Sequence, residues 1–136
     1  MTYSAYLLTE ASRAEVLSTF PPRFSEVIAH HVTVRFPSTD LPPPLTSARV
    51  VGVSRDERIE CLVVEIDGNK ARPDGGTFHL TLSLDRAAGA KPVHSNEVIQ
   101  RCGWEPVSPL ELRVEPRLLG GSPAPKGRRA KGEGAP

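Results

Sequence analysis

Cysteine is scarce. Only Cys61 and Cys102 occur in 136 residues, and neither belongs to a CxxC pair or lies near a Cys/His cluster. That argues against a zinc site and against a disulfide framework. One isolated bridge is the alternative, and two buried free thiols in a reducing cytosol are expected instead. Aromatic residues make up 5 % of the chain, and Trp104 and Tyr3 read as packing residues rather than base-stacking platforms. No window approaches 18 apolar residues, so no membrane-spanning helix is expected. The opening MTYSAYLLTEAS has neither a basic start nor a long apolar run, so no signal peptide is expected. Together these absences suggest a soluble, cytoplasmic protein. Net charge is +1, which by itself points to no polyanionic partner.

Length suits one ordinary domain. Residues 3–8 read as a strand. Ser12-Arg-Ala-Glu15 has capping-box spacing, although a helix can already start after Thr9, and Pro21-Pro22 ends it. Residues 24–28 lead into a second strand at 29–36. The three prolines of STDLPPPLTS exclude a central strand. Strands at 48–54 and 59–66 form a hairpin, and DGNKARPDGGT is a turn region before a strand at 78–84. A short helix follows, capped by Ser95 or Asn96 and stopped by Gly103. Leu110, Leu112 and Val114 alternate as a last strand. Residues 1–116 are therefore expected to form the domain. Residues 117–136 are expected to be a disordered basic Gly/Pro/Ala-rich tail, with Lys126, Arg128, Arg129 and Lys131 against one acid, Glu133. The sum is an α+β protein of about six strands and two helices, arranged as two related lobes.

Two of only four histidines fall in the same local frame. HHVTVRF at 30–36 and FHLTLSL at 78–84 each contain His-x-Thr, with the two histidines 48 positions apart. Side chains alternate along a strand. Val32, Val34 and Phe36 therefore share one face, and His31, Thr33 and Arg35 the other. Likewise Phe78, Leu80, Leu82 and Leu84 oppose His79, Thr81 and Ser83. Both strands turn a His and a Thr away from the core, and an approximate two-fold between lobes brings these polar faces together. Two imidazoles so placed can serve as general base and general acid in one step. The threonine hydroxyls can hold a phosphoryl anion between them, with no metal or other cofactor required. The bland alternative is an ordinary half-exposed strand. With four His and eight Thr, chance gives roughly 0.2 His-x-Thr pairs per chain of this size, so two is an excess.

His30 falls on the opposite face from His31 and reads as a structural or edge histidine, and His94 reads as solvent-facing. Lys91, Ser95, Asn96 and Arg35 are candidate substrate contacts. A solvated lysine, a plain helix cap and an exposed strand arginine are the competing readings. The basic tail could add RNA affinity through phosphates, but an unstructured solubilising end is the simpler reading.

Paired motifs of this kind, here His31-Val-Thr33-Val and His79-Leu-Thr81-Leu, resemble those of the 2H phosphoesterase superfamily. That superfamily includes 2′-5′ RNA ligase-like proteins and the cyclic phosphodiesterase domain of fungal tRNA ligases. The stretch Ala90-Lys-Pro-Val-His-Ser-Asn96 resembles the tRNA ligase branch more loosely, and the similarity spans residues 3–115. It implies a compact bilobal fold with antiparallel sheets around a central cleft. It also implies hydrolysis of a 2′,3′-cyclic phosphate on RNA ends or small nucleotides, leaving a 2′-phosphate. His31 and His79 would be catalytic, with His79 as base, and Thr33 and Thr81 would bind phosphate. The implied setting is a monomer acting on RNA, with a ligase and a kinase as repair partners. The segment between the motifs is shorter than in many members, which implies a trimmed second lobe and a more open cleft. A 3′-5′ exonuclease or 2′-5′ ligase on the same scaffold, or a non-catalytic nucleotide-binding module, are the alternatives.

Overall fold

A computed structural model describes residues 1–120. The expected tail at 121–136 lies outside them. The chain opens with strand β1 (Thr2–Leu8) and helix α1 (Glu10–Thr19). Thr9 caps α1 by accepting a hydrogen bond from the Ser12 amide at 3.1 Å, satisfying one of the donors a helix start leaves open. Ser12 is thereby released from capping, and its hydroxyl instead accepts from the Arg113 amide at 3.0 Å. Strands β2 (Glu26–Val27) and β3 (His31–Arg35) follow, then β4 (Ala48–Arg55), β5 (Ile59–Ile66) and β6 (His79–Leu84). Helix α2 (Ser95–Cys102) precedes β7 (Glu105–Glu111) and β8 (Val114–Gly120).

The strands join in one sheet in the order β7-β4-β5-β6-β3-β1-β8, with β2 pairing to β6. Every pairing is antiparallel. The fold is thus α+β, with an antiparallel sheet and two helices. The junction in the middle of the sheet is narrow. β3 meets β6 through the single register pair Val32↔Leu80, whereas β1 pairs with β8 from Thr2↔Gly120 to Leu8↔Val114.

One face carries the main core. Val32 and Val34 from β3, Leu80 and Leu82 from β6, and Leu62, Val64 and Ile66 from β5 pack there with Tyr6 and Leu8 of β1 and Val16 of α1. This is the apolar side that strand alternation predicts. The opposite face is also covered. α2 packs Val98 against Ile59, Leu84 and Ala90, and Ile99 against Cys61 and Val63. His79 and Thr81 are consequently buried, rather than standing on a half-exposed strand. The register shift between Glu60 and Cys61, which leaves Leu82 as an extra residue in β6, breaks the expected alternation at the end of that strand: Leu84 joins Ile59 and Val98, and the buried Ser83 hydroxyl donates to Glu60 at 2.7 Å.

Four expectations need correction. The last strand, expected at 110–114, is two strands that break between Glu111 and Val114. Pro106, Pro109 and Pro116 lie within them, and they are tolerated because β7 and β8 form the two edges of the sheet. The domain therefore runs past residue 116, since Arg117, Leu118 and Leu119 pair with β1. The expected strand at 29–36 is interrupted by Ala29, whose φ of 44° takes the chain out of extended geometry before β3 begins. Of the cysteines, Cys61 is buried and Cys102 is exposed, and both are free. Burial pushes the Cys61 thiol up to about 12, so it stays protonated and inert.

Candidate functional site

β3 and β6 set the site because they are sheet neighbours with their apolar sides in one core. From the Val32↔Leu80 pair, Thr33 and His79 lie one step away along their strands in the same direction. Across the insertion at Ala29, the Ala29 amide donates to the Thr81 carbonyl at 2.9 Å. A cavity of about 150 Å³ opens here. His31, Thr33, His79 and Thr81 all line it, together with Ile28, His30 and Pro92. The four residues of the paired motifs are brought together from strands 48 residues apart.

His31, His79 and Thr81 each have a partner that fixes the side chain. His79 Nδ1 lies 2.8 Å from the Thr77 carbonyl. A carbonyl can only accept, so Nδ1 carries the proton, and in the neutral ring Nε2 is the basic nitrogen. The Thr81 hydroxyl sits 2.8 Å from that of Ser95 at the start of α2, with both groups buried. The Asn96 side-chain oxygen accepts from the Thr77 amide at 3.2 Å, which ties the segment before His79 to α2. The Tyr3 ring lies 5.5 Å from the His31 ring and 5.5 Å from the Phe36 ring, centroid to centroid.

Electrostatics favour neutral rings at His30 and His31 in the absence of an anion. Burial, with the neighbouring His30 and His79, lowers the His31 pKa to about 3. His30 is held below its ordinary value by burial and by the Arg13 guanidinium. A negative charge placed in the cavity would reverse this, because it compensates the desolvation that penalises the imidazolium. The donors present are imidazoles and hydroxyls, which suit a small oxyanion. Among the described residues, no group of three or more His, Cys, Asp or Glu side chains is placed to hold a metal ion.

The other candidates divide. Ser95 supports Thr81, and Asn96 supports the approach to β6, but neither lines the cavity. Lys91 also stands outside it, and its amide donates to His94 Nδ1 at 3.2 Å. Arg35 does not share the His31 face. The pairs Ser4↔Arg35 and Ala5↔Thr33 leave Val34 as an extra residue in β3, and a bulge of this kind breaks alternation. Arg35 instead lines a separate cavity of about 470 Å³ beneath the Pro42–Pro44 loop. His30 is the opposite case. Alternation places it away from His31, yet it lines the same cavity, because Ala29 in left-handed geometry turns the chain before β3. No residue pattern signals that turn, since alanine seldom adopts it; only the histidine doublet hints at it.

The geometry therefore defines a class of site: three histidines and two threonines facing one small cavity on the polar side of an antiparallel sheet. No family model, curated protein or solved structure matches the chain. Among the described residues, no helix is long and apolar enough to cross a membrane.

Proposed function

We propose that this chain is a metal-independent phosphodiesterase of the 2H type that opens 2′,3′-cyclic phosphates at RNA ends or on small nucleotides. One observation carries the reading: His31, Thr33, His79 and Thr81 line a single cavity. Its volume suits a phosphoryl group, with ribose and base lying outside. The narrow β3–β6 junction supports a two-lobed reading, with β1, β3 and β8 on one side, β4 to β7 on the other, and the cavity at the seam.

In the proposed step, water attacks phosphorus in line with O3′. His79, with Nδ1 donating to the Thr77 carbonyl, takes the water proton at Nε2. His31, charged once the phosphodiester anion is bound, gives a proton to O3′ as the P–O3′ bond breaks. The phosphate remains on O2′. Thr33 and Thr81 donate hydrogen bonds to the non-bridging oxygens, where negative charge is held in the transition state.

The test offers purified protein a 2′,3′-cyclic nucleotide and a cyclic-phosphate-ended RNA, with EDTA present, and identifies the product phosphate. Turnover to a 2′-phosphate is expected. His31→Ala and His79→Ala should each lower it by about 10²–10⁴-fold, the usual contribution of one acid or base, with circular dichroism unchanged. No turnover on either substrate would falsify the reading. Trimming of 3′ ends, or 2′-5′ joining, would move the same residues to one of those activities.

A further inference from the structure

His31 and His79 are each held through Nδ1, but by different partners. For His79 the partner is a backbone carbonyl, that of Thr77. For His31 it is the side chain of His30, with the two Nδ1 atoms 2.9 Å apart and the rings edge to face at 87°. One of these nitrogens must carry the hydrogen and the other must accept it. We propose that His30 is a positioning residue: it accepts the Nδ1–H of His31, as the Thr77 carbonyl accepts that of His79, and so presents His31 Nε2 as the reacting nitrogen.

Two arguments support this direction, and the backbone supplies the placement. Burial and the Arg13 guanidinium hold His30 below its ordinary value, which favours the neutral ring, the form that has a lone pair with which to accept. When His31 becomes an imidazolium, both its nitrogens carry hydrogen, and the bond to His30 can persist only in this sense. A dedicated backbone device also puts His30 there. The Arg13 side chain donates to the Ile28 and Ala29 carbonyls, at 3.1 Å each, across the residue whose φ is 44°. An alanine adopts such geometry only where its surroundings impose it, and Ala29 is fully buried. The result is an exposed histidine turned onto the cavity side.

The inference rests on the phosphodiesterase reading for its kinetic consequence, but not for its structural one. His30 sits at the rim of the cavity with one side of its ring open to solvent, so its substitution should leave the fold intact. The decisive measurement is the tautomer of His31, read from its ring nitrogen shifts by NMR at neutral pH in wild type and in His30→Ala. Wild type should show the proton on Nδ1. A free neutral imidazole side chain favours Nε2–H, so His30→Ala should move His31 towards it. In turnover, His30→Ala should lower kcat roughly ten- to a hundredfold, as misplacing or mistuning an essential imidazole does, with KM little changed. His30→Gln, whose amide oxygen can accept the same hydrogen, should recover most of the loss. A His31 proton on Nε2 in wild type, or a tautomer that ignores His30→Ala, overturns the proposal even if the protein is active. The expected tautomer shift in a protein without turnover supports the role of His30 and removes only the phosphodiesterase reading.

Discussion

At the scale of single residues, the depressed pKa of His31 has a thermodynamic consequence separate from catalysis. Folded, the ring titrates at about 3; unfolded, at the ordinary value near 6.5. Between these values the unfolded chain binds a proton that the folded chain refuses, so stability falls as pH drops from about 6.5 towards 3. His30, also shifted downward, acts in the same sense. From pH 7.5 to pH 5, the His31 contribution is at most about 2 kcal/mol. That window lies above the range where paired carboxylates such as Asp56 and Asp74, both shifted down, begin to protonate. Urea denaturation at the two pH values should show the loss, and His31→Gln should reduce it. An unchanged pH slope in that variant would mean that His31 is not the group responsible.

At the scale of elements, the paired strands were legible because their alternation is strong. β5 falls where its apolar run predicts, and the His-x-Thr faces meet as the pattern implies. Alternation failed where the backbone leaves the pleat: at Ala29 and at the Val34 bulge, which moved His30 into the cavity and Arg35 out of it, and at Leu82, where the register shift in β6 parted Ser83 from Thr81 and Leu84 from Leu80. Nothing in side-chain polarity marks a left-handed alanine. What holds it is a contact from α1, remote in sequence. Arg13→Met keeps the stem of that side chain but removes its hydrogen bonds to the Ile28 and Ala29 carbonyls. Hydrogen bonds to a charged donor contribute about 1.5–3 kcal/mol. The variant should lose stability in that range, measured as a shift in urea midpoint. It should also lose turnover under conditions where it remains folded, because His30 and His31 follow directly after the released turn. Full activity at an unchanged midpoint would show that the turn holds without its clamp.

At the scale of the whole molecule, the two edges of the sheet come from one stretch of chain. β7 and β8 are consecutive, yet they close opposite ends, β7 on β4 and β8 on β1. Prolines at 106, 109 and 116 hid them, since proline in a run usually argues against a strand; on an edge, it also discourages pairing with another molecule. β8 matters to the site through β1. It covers β1 from Thr2 to Leu8, and Gly120 lies so close to the Tyr3 ring that an added Cβ would sit 2.8 Å from it. Tyr3 in turn lies against His31. A chain ended after Val114 would leave the β1 backbone groups without their partners on that side and uncover Tyr3. With ladder hydrogen bonds contributing about 1 kcal/mol each, the loss should reach at least about 3 kcal/mol, a large share of a small domain's stability. The comparison is with a chain ended after Gly120, by urea denaturation and by turnover. The shorter chain should unfold at markedly lower urea and be inactive at 37 °C. Equal midpoints would mean that β8 contributes nothing and that the domain ends near residue 114.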